Sequence, residues 1–292
     1  MQLELFHIKD MDTVVNVSSV KQRSPFRYPG GKTWLIPVVR QWLTSLANKP
    51  EVLIEPFAGG GIVSLSVAAE NLADRVLMIE LDSQVAAVWK TILGGDAEWL
   101  SEKILNFNMT YDNLQTELSK KPENIREDAF RTILRNRTSH GGILANGAGL
   151  LKNGESGKGI FSRWYPVTLS RRILNINKYK DRIDFLQDDG IKIINNYKMN
   201  QDVVYFIDPP YTAAGKKAGM RLYKHNQIDH EGLFTLLESV KGEFLMTYDN
   251  EEKIIGMAVD SGFKFEKVAM SNTHHAKMNE LIISKNLDWL NK

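Results

Sequence analysis

Short apolar runs, bounded by polar or turn-forming residues, recur along the chain and predict the strands of a sheet. The run from Val203 to Ile207 is continuously apolar and rich in β-forming residues, which is typical of a strand covered on both faces. The two prolines that follow cannot continue a ladder of hydrogen bonds, so we expect this strand to end at Asp208. The predicted strands are residues 52–57, 76–80, 203–208, 243–248 and 281–284.

Helical periodicity lies between several of these strands, for example over residues 62–71 and 83–93. Alternation of strands and helices is typical of a doubly wound parallel sheet with crossover helices on both of its faces. We therefore expect an α/β, Rossmann-like fold.

The alternation is interrupted between residues 94 and 184. This stretch predicts a helix over residues 125–137, then a glycine-rich run over 141–149 and an aromatic, basic run over 161–166. Such a composition is typical of a recognition module inserted into a sheet. The predicted organisation is an N-terminal extension at residues 1–20, a catalytic domain at 21–93 and 185–292, and a mainly helical insertion at 94–184.

The composition fits one large domain, or a domain with an insertion, because 43% of the 292 residues are hydrophobic. No apolar run is long enough to span a bilayer, and residues 1–19 lack the apolar core of a secretion signal. We expect a soluble cytoplasmic protein. The chain has no cysteine, which excludes disulfides, thiolate metal sites and cysteine nucleophiles.

Charge is distributed unevenly, although the net charge is only +2. Residues 120–185 contain 14 lysines and arginines and 6 acids, so this segment carries +8 and the rest of the chain −6. A concentration of positive charge on one module is typical of a surface that binds phosphates. A solvated surface can also be basic, so the pattern alone does not identify the ligand.

The segment Asp208-Pro209-Pro210-Tyr211 places a carboxylate at the end of a predicted central strand. Open α/β sheets bind their ligands at this edge. The carboxylate, the Pro209 carbonyl and the flat Tyr211 ring suit the binding of a planar amine. Aspartate and proline also favour ordinary turns, but the whole tetrapeptide directly after such a strand favours the functional interpretation.

A second candidate segment, Glu55-Pro-Phe57-Ala-Gly59-Gly-Gly61, joins a predicted strand to a helix, and its glycines let the backbone approach a ligand. Glu80 ends the next strand, at an offset where an acid commonly binds ribose hydroxyls. A dinucleotide is the competing ligand, but the third glycine of that motif is missing and Glu55 would repel a pyrophosphate. A cofactor with an amino group and a sulfonium fits the acids better, so we favour S-adenosylmethionine over NAD.

A third segment contains Gly30-Gly31-Lys32-Thr33, and its Gly31-Lys32-Thr33 part imitates the end of a phosphate-binding P-loop. That motif requires a glycine where this chain has Phe26, and a preceding strand that residues 22–28 do not predict. A loop that leads into a helix and holds a carboxylate with its backbone and Lys32 is the better interpretation.

Taken together, these segments resemble the Dam-type (D12 class, α-group) DNA adenine N6-methyltransferases. The similarity rests mainly on three segments, which are residues 28–32, 55–61 and 208–211. Weaker matches lie at residues 77–82, 228–233 and 247–250, and the resemblance covers about residues 24–284. It implies a Rossmann-like S-adenosylmethionine-dependent methyltransferase sheet, with a target-recognition domain inserted ahead of Asp208.

The resemblance also implies roles for individual residues. Asp208 is implied to contact both the cofactor and the target amine. Asp189 fits the acid that binds the adenine of the cofactor, and Asp188 is the alternative. From the motifs and the resemblance together, the candidate residues for binding S-adenosylmethionine are Tyr28, Gly30, Gly31, Lys32, Glu55, Phe57, Gly59, Gly61, Glu80, Asp189 and Asp208.

These assignments predict transfer of a methyl group from S-adenosylmethionine to the exocyclic amine of an adenine. Hydrogen bonds from the amine to Asp208 and to the Pro209 carbonyl would aim its lone pair at the methyl group. A base within duplex DNA cannot reach such a pocket, so base flipping is implied, with Tyr211 as the stacking face and Pro210 completing the catalytic segment. Methylation of cytosine at C5 requires a thiolate and is excluded.

Double-stranded DNA is the expected partner, and a monomer is the expected state. Trp164 and Tyr165 are candidates for stacking at the flipping site, with core packing as the alternative. The adjacent His274 and His275 are expected in a loop, and no metal site is expected. The candidate DNA-binding residues are Arg135, Arg137, Lys152, Lys158, Arg163, Arg171 and Arg172.

Three alternatives remain open at this point: an N4-cytosine DNA methyltransferase, an RNA adenine methyltransferase, and a non-catalytic regulator that binds S-adenosylmethionine and DNA. The aspartate before Pro-Pro-Tyr favours adenine over cytosine, and the presence of Asp208 and Tyr211 argues against a regulator. The recognition region departs from the Dam pattern at residues 137–142 and 163–166, so a GATC target does not follow. The sequence also leaves open whether a cognate restriction endonuclease exists.

Overall fold

Seven strands form one sheet in the computed structural model, with α-helices on both of its faces. The described residues are 19–28, 30–144, 148–154, 157–210, 228–271 and 277–291. The strands are β1 Val52–Glu55, β2 Arg75–Ile79, β3 Ile183–Leu186, β4 Val203–Ile207, β5 Phe244–Asp249, β6 Lys264–Ser271 and β7 Lys277–Ser284.

The α-helices are α1 Ile36–Ser45, α2 Ile62–Glu70, α3 Ser83–Thr91, α4 Ala97–Asn106, α5 Tyr111–Ser119, α6 Ile125–Thr138, α7 Pro166–Ile176, α8 Gly190–Tyr197, α9 His230–Glu238 and α10 Glu252–Asp260. A π-helical turn over Ile92–Asp96 joins α3 to α4. The short 3-10 turns are Lys32–Leu35, His140–Gly142, Gly159–Arg163, Lys180–Arg182 and Asp288–Asn291.

The order of the strands across the sheet is β3-β2-β1-β4-β5-β7-β6. Strand β1 pairs in parallel with β2 and β4, and β4 pairs in parallel with β5. Strand β7 runs antiparallel to both β5 and β6. The chain moves outward from β1 to β3 and then returns to β4, so the order reverses between β1 and β4. The carboxyl ends of these two strands form a crevice of the kind in which open α/β sheets bind ligands.

Side chains of β4 alternate between two apolar clusters on opposite faces of the sheet. Val204 and Phe206 join the cluster that includes α1 to α7. Val203, Tyr205 and Ile207 join the cluster that includes α8, α9 and α10. All five side chains are buried, which explains why the run is apolar without alternation.

Within the described ranges, no helix has the length and apolar content needed to cross a membrane.

The stretch that interrupts the alternation contains α4 to α7 and is mainly helical. Phe130 and Ile133 of α6 are fully buried and belong to the same apolar cluster as Val88 of α3, against which α6 packs. The helices of the insertion therefore share a core with the helices that cover the sheet.

The predicted α/β fold class is confirmed, but two strands were not predicted. Strand β3 lies at one edge of the sheet, begins within the predicted insertion, and buries only Ile183 fully. Strand β6 lies at the opposite edge and carries Lys264, Glu266 and Lys267. Edge strands bury fewer side chains and therefore give weak apolar patterns. Residues 1–18 of the predicted N-terminal extension lie outside the described residues.

Gly190, at the start of α8, lies so close to the Pro56 carbonyl that an added Cβ would overlap the oxygen. We expect Gly190→Ala to destabilise the protein by about 1–3 kcal/mol, because either α8 or the loop that contains Pro56 must shift to make room for the methyl group. Gly256, within α10, has open space around its Cβ position, so Gly256→Ala should stabilise by about 0.5–1 kcal/mol. Thermal unfolding of both variants checks this contrast; similar melting temperatures would contradict it.

Candidate active site

Three carboxylates lie at the crevice between β1 and β4. Glu55 ends β1, Glu80 follows β2 and Asp208 follows β4. All three line one cleft of about 1020 Å³. The other candidate cofactor-binding residues that line it are Tyr28, Gly30, Gly31, Lys32, Phe57, Gly61 and Asp189. The fold thus brings together residues that are far apart in the sequence. Gly59 is the one member of the predicted cofactor-binding set that does not line this cleft.

The backbone at Gly59 passes directly against the Tyr28 ring. Its φ of +47° is in the left-handed region, and an added Cβ would lie 2.5 Å from a ring carbon. The Gly59 N–H donates to Glu80 Oε2 at 2.9 Å, and the Gly59 carbonyl accepts a 2.9 Å bond from Trp89 Nε1. The glycine segment is therefore held between the end of β2 and helix α3, and any side chain at Gly59 would displace Tyr28.

Glu55 is buried at the end of β1, where its Oε2 accepts a 2.9 Å hydrogen bond from the backbone N–H of Ser64 in α2. Burial raises the pKa of Glu55 to about 8, against the effect of the Ser64 bond, and the charges of Asp208 and Glu80 act in the same direction as burial. This carboxyl group is therefore predominantly protonated at neutral pH until a positive charge is placed beside it.

The Glu80 carboxylate is oriented by two backbone N–H groups. Its Oε2 accepts from Gly59 at 2.9 Å and its Oε1 from Asp82 at 2.8 Å. Burial raises the pKa of Glu80 to about 7, and the Asp82 charge adds to this effect. A positive charge placed beside Glu55 and Glu80 would favour the charged forms of both acids. S-adenosylmethionine carries an ammonium and a sulfonium group, so the residues present fit this cofactor.

Lys32 is almost fully buried and lies between two acids. Its Nζ is 2.9 Å from Asp208 Oδ1 and 3.5 Å from Glu280 Oε2, and it also donates to the Gly30 carbonyl at 2.9 Å. The sequence predicted that Lys32 holds a carboxylate and contacts the cofactor. In the structure its ammonium group engages two side-chain carboxylates, and Lys32 also lines the cleft.

Glu280 and Thr247 are site residues that the sequence did not identify. Thr247 Oγ1, in β5, donates to Asp208 Oδ1 at 2.9 Å. Glu280 lies in β7, where burial raises its pKa to about 7 even though the charge of Lys32 opposes that shift. An acid placed within the apolar pattern of a strand was the available signal, because such an acid needs a partner inside the protein.

The structure separates the two candidates for recognition of the cofactor's adenine. Asp188 forms a 2.8 Å ion pair with Lys192, one turn further along the chain. Asp189 caps α8 by accepting a 2.8 Å bond from the Ile191 N–H, and it lines the cleft. The position of Asp189 is the one suited to contacting a cofactor.

The segment that follows β4 is described only in part. Pro209 is buried and Pro210 lines the cleft. Tyr211, His274 and His275 lie outside the described residues.

The two aromatic residues considered for stacking have different environments. Trp164 is buried and packs edge-on against Phe107, with the ring centroids 6.0 Å apart. Tyr165 is exposed and lines the cleft. The packing interpretation therefore holds for Trp164, while Tyr165 remains near the site.

Only some of the predicted DNA-binding residues reach the cleft. Arg137, Arg163 and Arg172 line it. Lys152 and Lys158 line a separate surface depression, and Arg135 and Arg171 line neither. Of the predicted DNA-binding residues, three therefore lie at the cleft that contains Asp208 and four lie away from it.

The strand order, with its antiparallel seventh strand, defines a Rossmann-like α/β sheet, and the cleft with its acids lies at the carboxyl ends of its parallel strands. The family model described as D12 class N6 adenine-specific DNA methyltransferase matches residues 28–274, and the chain belongs to this family. S-adenosylmethionine is therefore its cofactor. Comparison with curated protein sequences gives no significant match.

Three solved structures are similar to the chain at low identity. The rRNA methyltransferase aviRa from Streptomyces viridochromogenes is 13% identical, with a TM-score of 0.41 over 95% of this chain and 96% of that one. The precorrin-6y C5,15-methyltransferase from Geobacter metallireducens is 11% identical, with a TM-score of 0.36 over 97% and 98%. An rRNA methylase from Streptococcus thermophilus is 12% identical, with a TM-score of 0.36 over 87% and 96%. Similarities this distant say nothing about the substrate.

Binding of S-adenosylmethionine at neutral pH is expected to release protons. A cation beside Glu55 and Glu80 favours their charged forms, so their pKa values of about 8 and about 7 should fall on binding. Because the bound state then holds fewer protons, affinity should rise with pH and level off above the pKa of Glu55. Titration calorimetry in buffers of different ionisation enthalpy measures this release.

Glu55→Gln should release fewer protons than the wild type, whereas the exposed Glu102→Gln, in α4, serves as the matched control and should behave like the wild type. Binding by the wild type without any proton release would contradict the proposed contact between these acids and the cofactor.

Proposed function

We propose that this enzyme transfers a methyl group from S-adenosylmethionine to the N6 amine of an adenine that is flipped out of double-stranded DNA. The observation that carries the proposal is the position of Asp208. Its carboxylate follows the central strand β4, is held through Oδ1 by Lys32 and Thr247, and lines the same cleft as Glu55 and Glu80. Membership of the D12 class supports both the reaction type and adenine as the target.

The acidic side of the cleft is the proposed cofactor site. Glu55 and Glu80 would face the positive groups of S-adenosylmethionine or its ribose, and Asp189 would accept hydrogen bonds from its adenine. Tyr28 and the glycine segment would form the walls of the site. When bound, the cofactor supplies a methyl group activated by the positive sulfonium.

The proposed task of Asp208 is to orient the target amine. The lone pair of an adenine amine is delocalised into the ring, so the amine is a poor nucleophile. Hydrogen bonds from its two N–H groups to Asp208 and to the Pro209 carbonyl would favour a pyramidal nitrogen and direct its lone pair along a fixed line. Positioning of this kind can contribute several kcal/mol to catalysis, and fixed hydrogen-bonding groups do not have to reorganise during the reaction.

Base flipping is part of this proposal because Asp208 lies in the crevice between the carboxyl ends of β1 and β4, with its side chain only 23% exposed. A base stacked in a duplex cannot reach a carboxylate in such a position. We propose that Tyr211, outside the described residues, stacks on the extruded base, and that the exposed Tyr165 lies close to its path into the cleft.

Contacts with the duplex are assigned to the basic insertion. We propose that Arg135, Lys152, Lys158 and Arg171 contact phosphates from the outer surface of this module. The arginines at the cleft, Arg137, Arg163 and Arg172, would act nearer to the target nucleotide. Affinity for DNA should then fall steeply as salt concentration rises, because phosphate contacts release counterions.

The substrate is tested by mapping methylated bases after exposing duplex DNA of known sequence to the protein and S-adenosylmethionine. N6-methyladenine within one fixed sequence context supports the proposal and reveals the recognition site. Methylation at cytosine N4, or of RNA alone, would replace it, and cofactor binding without any methylation would indicate a regulator.

We also propose that the enzyme works as a monomer in the cytoplasm, which sedimentation of the DNA complex and cell fractionation can check. If the chain acts together with a restriction endonuclease, DNA that it has methylated should resist that nuclease.

Asp208→Asn should lower the rate of methyl transfer on the order of 10²- to 10³-fold, because an amide lacks the negative charge that holds the amine. The control is Asp202→Asn. Asp202 is exposed and lies at the other end of β4, away from the cleft, so its loss should leave the rate unchanged. Transfer of a labelled methyl group to DNA is the measurement, with thermal unfolding and cofactor affinity recorded for both variants. A folded Asp208→Asn variant within tenfold of wild type would reject the assigned role.

A further inference from the structure

Four arginines line the cleft that contains Asp208, on the side formed by α6, the turn Gly159–Arg163, α7 and the segment before Tyr28. They are Arg27, Arg137, Arg163 and Arg172. The sequence predicted three of them as general DNA contacts and gave no signal for Arg27.

Three of the four have no acidic partner in the part of the chain that the structure describes. Arg27, Arg137 and Arg172 form no ion pair there, whereas Arg40 pairs with Glu70 at 2.6 Å and Arg75 with Asp184 at 2.7 Å. A buried cation without a partner is costly, so such a group points to a ligand that brings negative charge.

Burial makes this cluster unusual. Arg137 is only 5% exposed, and its Nη2 donates to the Pro25 carbonyl. Within the described residues, Arg137 Nε and Arg27 Nη1 are buried without any hydrogen-bond partner. Burial, together with the positive charges of Arg172 and Arg27, lowers the pKa of Arg137 to about 9. A bound anion would supply the missing hydrogen bonds and offset the repulsion between these cations.

The cluster is also held in position. The Asn136 side chain brackets the backbone of Arg27, since its Oδ1 accepts from the Arg27 N–H and its Nδ2 donates to the Arg27 carbonyl, both at 2.8 Å. Arg172 Nη1 donates to the Ser24 carbonyl at 3.1 Å. The segment that leads to Tyr28 and Lys32 is thereby fixed to α6 and α7 before any ligand binds.

We infer that Arg27, Arg137 and Arg172 bind a DNA backbone phosphate adjacent to the nucleotide whose base enters the cleft, an inference that rests on the proposed function. The forked N–H groups of a guanidinium match the oxygens of a phosphate. Glu55 and Glu80, which line the same cleft, would repel that phosphate and attract the cofactor. The acids and the arginines of one cleft thus suit ligands of opposite charge, the cationic groups of the cofactor for the acids and a phosphate for the arginines.

The test uses duplex oligonucleotides that contain the mapped recognition site, with one phosphate at a time beside the target adenine replaced by a neutral methylphosphonate. Wild-type protein should lose about tenfold in affinity at one of these positions, the size expected for a charge-assisted contact. Arg27→Gln and Arg172→Gln should each bind the unmodified duplex more weakly, and the methylphosphonate at that position should weaken each variant by less than it weakens the wild type, because only the remaining arginines still contact the phosphate.

The control is Arg75→Gln. Arg75 is the first residue of β2, and it therefore lies at the amino ends of the parallel strands, whereas the cleft lies at their carboxyl ends. This variant should retain the full methylphosphonate effect. Two results would overturn the inference: equal methylphosphonate losses in wild type and in both cluster variants, or a loss of S-adenosylmethionine affinity in the cluster variants, which would assign these arginines to the cofactor's carboxylate. If the mapping finds no methylated adenine, the proposed function itself fails, so the two failures are distinguishable.

Discussion

The ammonium group of Lys32, sealed from water between Asp208 and Glu280, holds three parts of the chain in one arrangement. It joins the turn before α1, the end of β4 and the middle of β7. Without this cation, two carboxylates would face each other in a poorly solvated space, and Asp208 would lose the partner that fixes its orientation. Thr247 fixes the same oxygen from β5. The position of the Asp208 carboxylate is therefore a product of the tertiary structure rather than of its local motif.

The central part of the fold was predictable from the sequence because its strands are covered on both faces. Burial on two sides demands apolar residues at every position, as in β4, and this leaves an unambiguous run. The two missed strands, β3 and β6, lie at the edges, where exposed positions tolerate lysine, aspartate and glutamate. Their positions are set by pairing with a neighbouring strand, and a single sequence carries little information about such pairing.

The candidate site shows a similar division. Glu55, Glu80 and Asp208 were predictable because each follows an apolar run, and the ends of neighbouring parallel strands meet at one edge. Glu280 and Arg27 were not, because each is positioned by a partner from a distant segment: Lys32 for Glu280, and Asn136 of α6 for Arg27. Contacts of this kind have no fixed spacing in the sequence, so no motif reports them.

The apolar cluster shared by α3 and α6 has a consequence for how such enzymes acquire new targets. Phe130 and Ile133 belong to the apolar cluster that covers one face of the sheet, and their helix α6 packs against α3. An insertion from a relative whose side chains did not match α3 would therefore leave apolar surface exposed on α3 and on the insertion itself. Exposed residues between its helices, such as Lys152, Lys158 and Phe161, are not constrained by this packing. Substitutions that change the recognised DNA sequence should therefore accumulate at such exposed positions. The buried residues of the helices should change only together with the residues of the catalytic domain that they contact.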